Sequence, residues 1–566
     1  MIQHRSPVSG IAAFGDSYVL TAGYDNQVIL WDQSSKRAIA RAQHDHLANQ
    51  ATFSPDGRYA LTSSSDYGAR LWTVPELRLV AVLAGHDDDV EMSVFHPAEE
   101  LIATASRDHH VRIWDFGGRL LRTLSGHTAD VISVEWVSGA DEVLSSSDDG
   151  TIRRWSASSG ELLETLDMDG VETDTVAISA GGTIFAGNDD GELIVVSPQD
   201  GRQTIQAHDA GIKRLVLDDG RGLLVSLSYD RRMRLWDTSG AVPKDLATAD
   251  LPPDVWPRSC AFAGDSTIVF ATFGATYRTY DYRAERWEDA EVPPTYGVNA
   301  AVRVPGVGVL AVGDAGIVWR DGAVLGELGS LCNFLTPASG VVFAGGQLGI
   351  VFDARTGRRL HQHRSPLNCG VAFERDGAEH VLIGTYTGEG LLFRIEAGGE
   401  VRHVGEVPLA GNAVKGVACS GDLLFAVSAD AGACWYDRNT LRQVGQVAGA
   451  HDKIANGCVG LGAGYFASVS RDLKLRIWNP SRQAEVLDTP HDHSIKCVSA
   501  SPDGRYVATG GYHGRIAIYD RDSRRWCYED RPTTAGISSL AFDGEDGTFL
   551  ASSYDGEVYR AEVRDR

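Results

Sequence analysis

The sequence predicts a nearly all-β chain of about fourteen short repeats, and three observations carry that prediction. Asp precedes Trp by six residues at Asp25/Trp31, Asp66/Trp72, Asp108/Trp114, Asp149/Trp155, Asp230/Trp236 and Asp472/Trp478. A His stands 21 or 22 positions before each of those Asp residues: His4, His44, His86, His127, His208 and His451. The copies recur about every 41 residues. At that period each repeat is one supersecondary unit that buries its apolar face only by stacking on its neighbours.

Within a repeat the residues read as short strands joined by tight turns. Leu101-Ile102-Ala103-Thr104-Ala105-Ser106 and Val111-Arg112-Ile113-Trp114 flank a turn around Asp108. Ser54-Pro55-Asp56-Gly57 and Ser501-Pro502-Asp503-Gly504 are turn sequences, because Pro presets φ and Gly accepts positive φ. No segment holds apolar residues at helical spacing over a long run.

Less regular copies fall on the same ruler. Asp190 precedes Val196, Asp430 precedes Tyr436 and His513 precedes Tyr519, each by six residues. Tyr280, Trp319, Phe352, Phe393 and Ala561 fill the remaining Trp positions, which makes fourteen units. Two residues before the Asp there is usually Ser, as at Ser64, Ser106, Ser147, Ser228 and Ser470.

This register resembles the WD-repeat (WD40) family, whose repeats carry Gly-His near the start and Trp-Asp at the end. Gly85-His86, Gly126-His127, Trp31-Asp32, Trp114-Asp115 and Trp236-Asp237 match in full. The resemblance implies Trp on the third strand, Ser on the second, Asp in the turn between them and His in the loop before the first. It implies buried tetrads of His86, Ser106, Asp108 and Trp114, and of His127, Ser147, Asp149 and Trp155. Two more are His208, Ser228, Asp230 and Trp236, and His451, Ser470, Asp472 and Trp478. An unpartnered buried polar group costs about 1–3 kcal/mol, so such a set is expected whole or replaced together. His, Ser and Asp together also look like a catalytic triad, but six copies of one active site have no use, and the structural reading stands.

The same resemblance implies propellers, closed rings that typically hold four to eight four-stranded blades. Fourteen units divide as seven plus seven, which predicts two tandem seven-bladed propellers over residues 1–282 and 283–566. Residues 283–292 are expected to complete blade 14, and Met1 to His4 to complete blade 7. The alternative gives 283–292 to blade 7 and leaves blade 14 three-stranded.

Composition narrows the function. The 566 residues, 43% hydrophobic and 23% charged, are enough for several cores and unlike a disordered chain. No run approaches the roughly 20 apolar residues of a membrane span, and the first residues lack a signal-type segment. A cytoplasmic location follows, and an excess of Arg over Lys suggests a GC-rich bacterial source. The net charge of −24 opposes phosphate backbones and anionic membranes. The eight cysteines form no Cys-x-x-Cys pair and are expected to be reduced core residues without a metal. Four of them, Cys332, Cys369, Cys458 and Cys497, fall near first strands, which line the channel. No nucleotide-binding Gly loop, Gly-x-Ser-x-Gly elbow or His-Glu-x-x-His occurs, so neither a cofactor nor an enzyme is expected.

If the Ser before each Asp points into the blade, strand alternation turns the intervening residue the other way. That residue is Tyr24, Arg107, Tyr229 and Phe273 in the first ring, and Tyr386, Arg471, Tyr512 and Tyr554 in the second. In WD-repeat proteins this position often faces the upper surface, and Tyr and Arg are enriched among interface hot spots. These eight are the candidate contacts, the second group favoured because its units lie within one arc. The plain alternative is strand-end Tyr covering neighbouring loops. A further oddity is Gln3-His4-Arg5-Ser6-Pro7, which recurs as Gln362-His363-Arg364-Ser365-Pro366. The expected function is a non-catalytic scaffold that binds proteins or peptides on its propeller top faces. An enzyme at a channel mouth, or a reader of a modified peptide through a Tyr cage, are the alternatives.

Overall fold

The computed structural model describes residues 2–396 and 398–562. Every regular element among them is a β-strand, and no helix among them is long and apolar enough to cross a membrane. Consecutive strands pair antiparallel in chain order, giving thirteen four-stranded sheets and one three-stranded sheet. All fourteen Trp-position residues predicted from the sequence, from Trp31 to Ala561, lie on third strands. The chain divides into two compact units, 1–295 and 296–566.

Each unit is a closed ring of seven blades. In the first, Val255–Ala263 of blade 7 returns against Val8–Phe14 of blade 1, where the Ile11 amide donates to Ser259 Oγ at 3.1 Å. In the second, Ile537–Asp543 of blade 14 returns against Val298–Val304 of blade 8. There Arg303 Nε and Nη2 donate to the two oxygens of the fully buried Asp543 carboxylate at 3.0 and 2.8 Å.

The cores lie between blades. Leu61, Leu71 and Leu83 of blade 2 pack on Val90, Ile102 and Trp114 of blade 3. The closing contact of the first ring joins Ile11, Val19 and Trp31 to Val269, Ala271 and Tyr277. A middle strand is therefore buried on both faces and reads as a continuous run of apolar and small residues, as in Leu101–Ser106. Fourth strands have one wet face and alternate, as in Arg37–Gln43. The two Pro-Asp-Gly turns behave as read: Gly504 has φ +70°, and a Cβ there would stand 2.2 Å from the Leu461 carbonyl oxygen.

The ring seams differ from the expectation. Residues 283–292 do not complete blade 14. Arg286–Trp287 pairs with Asp281 and Tyr280 as the outer strand of blade 7. The reason is packing, since the Trp287 ring fills the space beside Phe270 and Tyr280, 4.9 Å from each. Blade 14 has three strands among the described residues, which is the alternative arrangement. The N-terminal segment adds no strand to blade 7. The His4 amide donates to the Ala275 carbonyl at 3.0 Å, while the His4 side chain serves blade 1; Met1 lies outside the described residues.

Candidate functional site

Each first strand opens with a β-bulge. In blade 3, Val90 pairs with Ser106 and Met92 with Ala105, which leaves Glu91 unpaired between them. The same irregularity recurs in all fourteen blades and is widest in blade 7, where it covers residues 256–259. Beside eight of the fourteen bulges, at the apex of the second strand, stands one of the residues singled out above. The apex amide donates to the carbonyl just before the first strand: Tyr24 to Pro7, Arg107 to Asp89, Tyr229 to Gly211 and Phe273 to Asp254. In the second ring the pairs are Tyr386 with Pro366, Arg471 with Ile454, Tyr512 with Ser494 and Tyr554 with Gly536. The same main-chain bond thus fixes the backbone at all eight positions, whatever side chain each carries. The recurring Gln-His-Arg-Ser-Pro segments supply two of the carbonyls, through Pro7 and Pro366.

In several blades the bulge residue is a structural tie to the next blade. Asn49 Nδ2 donates to the Val90 carbonyl at 3.0 Å, and Ser9 Oγ to that of Ala48. In the second ring Asn299, Asn333, Asn368 and Asn456 donate to Cys332, Leu367, Val414 and Ile495 at 2.7–3.1 Å. Ser538 closes that ring on Val298 at 2.5 Å. Glu91, Asp174, Lys213, Trp256, Lys415 and Lys496 stand at the same position with side chains of a different kind.

Bulge and apex side chains meet. In the first ring Tyr24 packs edge-on against Trp256 at 5.2 Å, and Trp256 stacks on Phe273 at 5.3 Å. Arg258 lies over Trp256 and 3.1 Å from Glu91, which also takes Arg107 Nε at 2.5 Å; Arg107 Nη1 reaches Asp130 at 2.5 Å. Lys213 bonds Asp174 and Asp189 and stands 5.1 Å from the Tyr229 ring. Burial, reinforced by the Asp189 and Asp174 carboxylates, pushes Glu172 up to about 8. In the second ring Lys415 Nζ lies 4.7 Å over Tyr386, and Tyr512 and Tyr554 run nearly parallel at 6.5 Å. Tyr512 first, and then Tyr386, push the Lys496 ammonium up, against burial and the Arg471 guanidinium, which push it down.

The tetrads are present, with one member displaced. In blade 2 the Trp72 indole donates to Thr62 Oγ1 at 2.8 Å, and Thr62 meets His44 Nε2 at 2.7 Å. His44 Nδ1 meets Asp66 at 2.9 Å. The hydroxyl stands four residues before the Asp, not two. Thr104, Ser145, Ser226 and Ser468 therefore replace Ser106, Ser147, Ser228 and Ser470 beside Trp114, Trp155, Trp236 and Trp478. They contact His86, His127, His208 and His451. The Ser two before the Asp closes the turn: Ser106 Oγ donates to the Asp88 carbonyl and accepts the Asp108 amide, and the Ser147/Asp149, Ser228/Asp230 and Ser470/Asp472 pairs repeat this. The two positions share a strand face, so side-chain alternation cannot tell them apart.

The WD domain, G-beta repeat pattern matches residues 1–32, 41–73, 77–115, 118–156, 201–237 and 484–520. The chain is a WD-repeat protein.

Among curated proteins it is 31% identical over 119 residues to WD repeat, SAM and U-box domain-containing protein 1 of Danio rerio, covering 20% of this chain and 24% of that protein. It is 27% identical over 218 residues to Periodic tryptophan protein 2 of Arabidopsis thaliana, covering 37% of this chain and 20% of the relative. Pre-mRNA-processing factor 19 of Bos taurus shares 28% over 93 residues, 15% of this chain and 18% of its own length. The chain thus matches a quarter or less of each of these relatives.

The sixth WD match exposes a histidine that spacing from Asp misses. His491 Nε2 meets Thr509 Oγ1 at 2.9 Å beneath Tyr519, and His513 occupies the position of the Asp. Without that carboxylate, burial and then the Arg515 guanidinium push His491 down to about 4. In blade 12 a guanidinium intrudes instead. Arg476 Nη1 donates to His451 Nδ1 at 2.9 Å and to Asp472 at 2.6 Å, and the imidazole stands 3.6 Å from the carboxylate. Blade 10 replaces the set together: Ser365 bonds Thr387, and Thr385 donates to Glu389 at 2.9 Å, below Phe393. The cysteines are all reduced thiols. Cys369, Cys458 and Cys497 direct Sγ toward neighbouring strand carbonyls at 3.7–3.9 Å, and burial pushes Cys369 and Cys497 up to about 12.

Proposed function

We propose that this WD-repeat protein is a non-catalytic cytoplasmic platform that holds protein partners on the girdle of bulge and apex residues. The second ring, with Tyr386, Arg471, Tyr512 and Tyr554, is the principal site. One observation carries the reading: the main chain secures each apex residue, yet the positions hold Tyr and Arg, side chains enriched among interface hot spots. Rigid rings with two-sided cores present such groups without an ordering cost.

A catalytic reading gains nothing from the His–hydroxyl–Asp sets. Thr62 already receives the Trp72 indole and contacts His44, and His44 is buried, so no lone pair faces a substrate. The test is affinity purification from the native organism with wild type and with a Tyr386/Arg471/Tyr512/Tyr554→Ala variant. Loss of specific proteins from the variant supports the assignment; identical recovery overturns it.

A further inference from the structure

The first strands of the first ring place almost no charge beside its axis. In blades 1 to 6 the residue after the bulge is Gly10, Gln50, Met92, Ser133, Thr175 and Arg214, of which only Arg214 is charged. Two residues on, along the same strand face, stand Ala12, Thr52, Val94, Glu135, Ala177 and Val216, of which only Glu135 is charged.

The hydroxyls of the first set serve the next blade. Ser133 Oγ accepts the Val176 amide at 3.4 Å, and Thr175 Oγ1 accepts the Leu215 amide at 3.0 Å. Arg214 does otherwise, because its Nη1 donates to Met92 Sδ at 3.4 Å. Met92 belongs to blade 3 and Arg214 to blade 6, which are not neighbours, so the guanidinium lies across the axis of the ring. A thioether is a weak acceptor, and among the described residues Arg214 has no other hydrogen bond and no ion pair. Its Nε is shut off from solvent and donates to nothing.

Glu135 does not complete the guanidinium. It shares a strand face with Ser133, whose hydroxyl donates to the same Met92 sulfur at 3.4 Å. Yet Glu135 forms no hydrogen bond or ion pair among the described residues, and burial pushes its carboxyl up to about 7 against the opposing pull of Arg214. One residue nearer the mouth, Arg258 of blade 7 reaches Glu91 of blade 3 at 3.1 Å, an ion pair that also crosses the axis. Below it the Arg214 guanidinium has sulfur as its one acceptor, and a charge so placed is costly until an anion reaches it.

We propose that the axial channel of the first propeller binds a small monocarboxylate, held by the Arg214 guanidinium. The planar fork of N–H groups matches two oxygens on one carbon. One negative charge balances Arg214, whereas a phosphate dianion would also face Glu135. This site is separate from the girdle of the second ring and stands or falls independently of it.

The experiment is NMR saturation transfer from the full chain to the methyl group of sodium acetate, with chloride and inorganic phosphate as competitors at one ionic strength. Acetate should bind, and R214M should weaken it at least about tenfold. Methionine keeps an apolar chain at the site, and replacing a buried charge by an apolar group is tolerated; urea unfolding of the variant checks its fold. In the wild type the affinity should rise as the pH falls from about 8 to about 6, because a neutral Glu135 no longer competes for Arg214. E135Q should keep acetate binding and lose that pH dependence. Absence of transfer to acetate in the wild type overturns the proposal, as does transfer that survives R214M in a folded protein. Chloride or phosphate that displaces acetate at equal or lower concentration overturns the carboxylate assignment.

Discussion

Thr104 accepts the indole N–H of Trp114 at 2.9 Å while lying 2.7 Å from His86 Nε2, and both of its neighbours are buried. Thr104→Val keeps the shape and leaves both nitrogens without a partner. It should destabilise the first propeller by about 2–4 kcal/mol, read as a lower urea midpoint. Ser106→Ala removes only a turn bond and should cost about 1 kcal/mol. Equal effects would contradict the assignment of the tetrad hydroxyl.

His491 makes blade 13 sensitive to acid. Its folded value of about 4 lies below the ordinary 6.5, so between those values the unfolded chain binds the proton more readily. The stabilisation is complete above about pH 6.5 and is lost as the pH falls toward 4, on the order of 1–3 kcal/mol. His513→Asp supplies the missing carboxylate. NMR titration should then place His491 higher, with a smaller loss of urea midpoint between neutral and mildly acid solution.

Closure of the second ring concentrates on Asp543. Asp543→Asn weakens the paired bonds from Arg303, and should lower the stability of that propeller by about 2–3 kcal/mol. Asp488→Asn, which breaks the exposed pair with Lys474, should leave it near wild type. Chemical denaturation of the two variants side by side makes the comparison.

Ties and lysines should separate stability from binding. Asn368→Ala removes the bond to the Val414 carbonyl and should cost about 1 kcal/mol while partner recovery stays unchanged. Lys415→Gln should leave the unfolding midpoint near wild type and change what the protein recovers. The reverse outcome would make the lysine structural and the asparagine functional.

Much of this architecture was legible because the repeat is redundant. Each Asp–Trp interval was seen several times, so substitutions such as Tyr436 or Ala561 could be placed by spacing alone. The apex residues followed from strand alternation. What could not be read was anything occurring once. The 283–292 segment goes to blade 7 because Trp287 fits beside Phe270, a contact that no period encodes. The bulge residues were hidden because a bulge adds one residue to a strand and breaks its alternation. A usable signal was present: Asn or a charged residue follows the first apolar residue of most first strands, as in Leu367-Asn368 and Val414-Lys415. The tetrad hydroxyl also had a signal. Ser or Thr stands four before the Asp in all six strong repeats, whereas blade 1 has Gly23 two before it.

The most direct measurement of the account places a photo-crosslinking amino acid at Lys415, in the second mouth, or at Val324, which is 64% exposed on an outer strand. Irradiation in the native cell should join a discrete partner protein to the mouth position and little to the outer strand. A partner captured from Val324 while position 415 stays silent would contradict the claim that this protein acts through its propeller mouth.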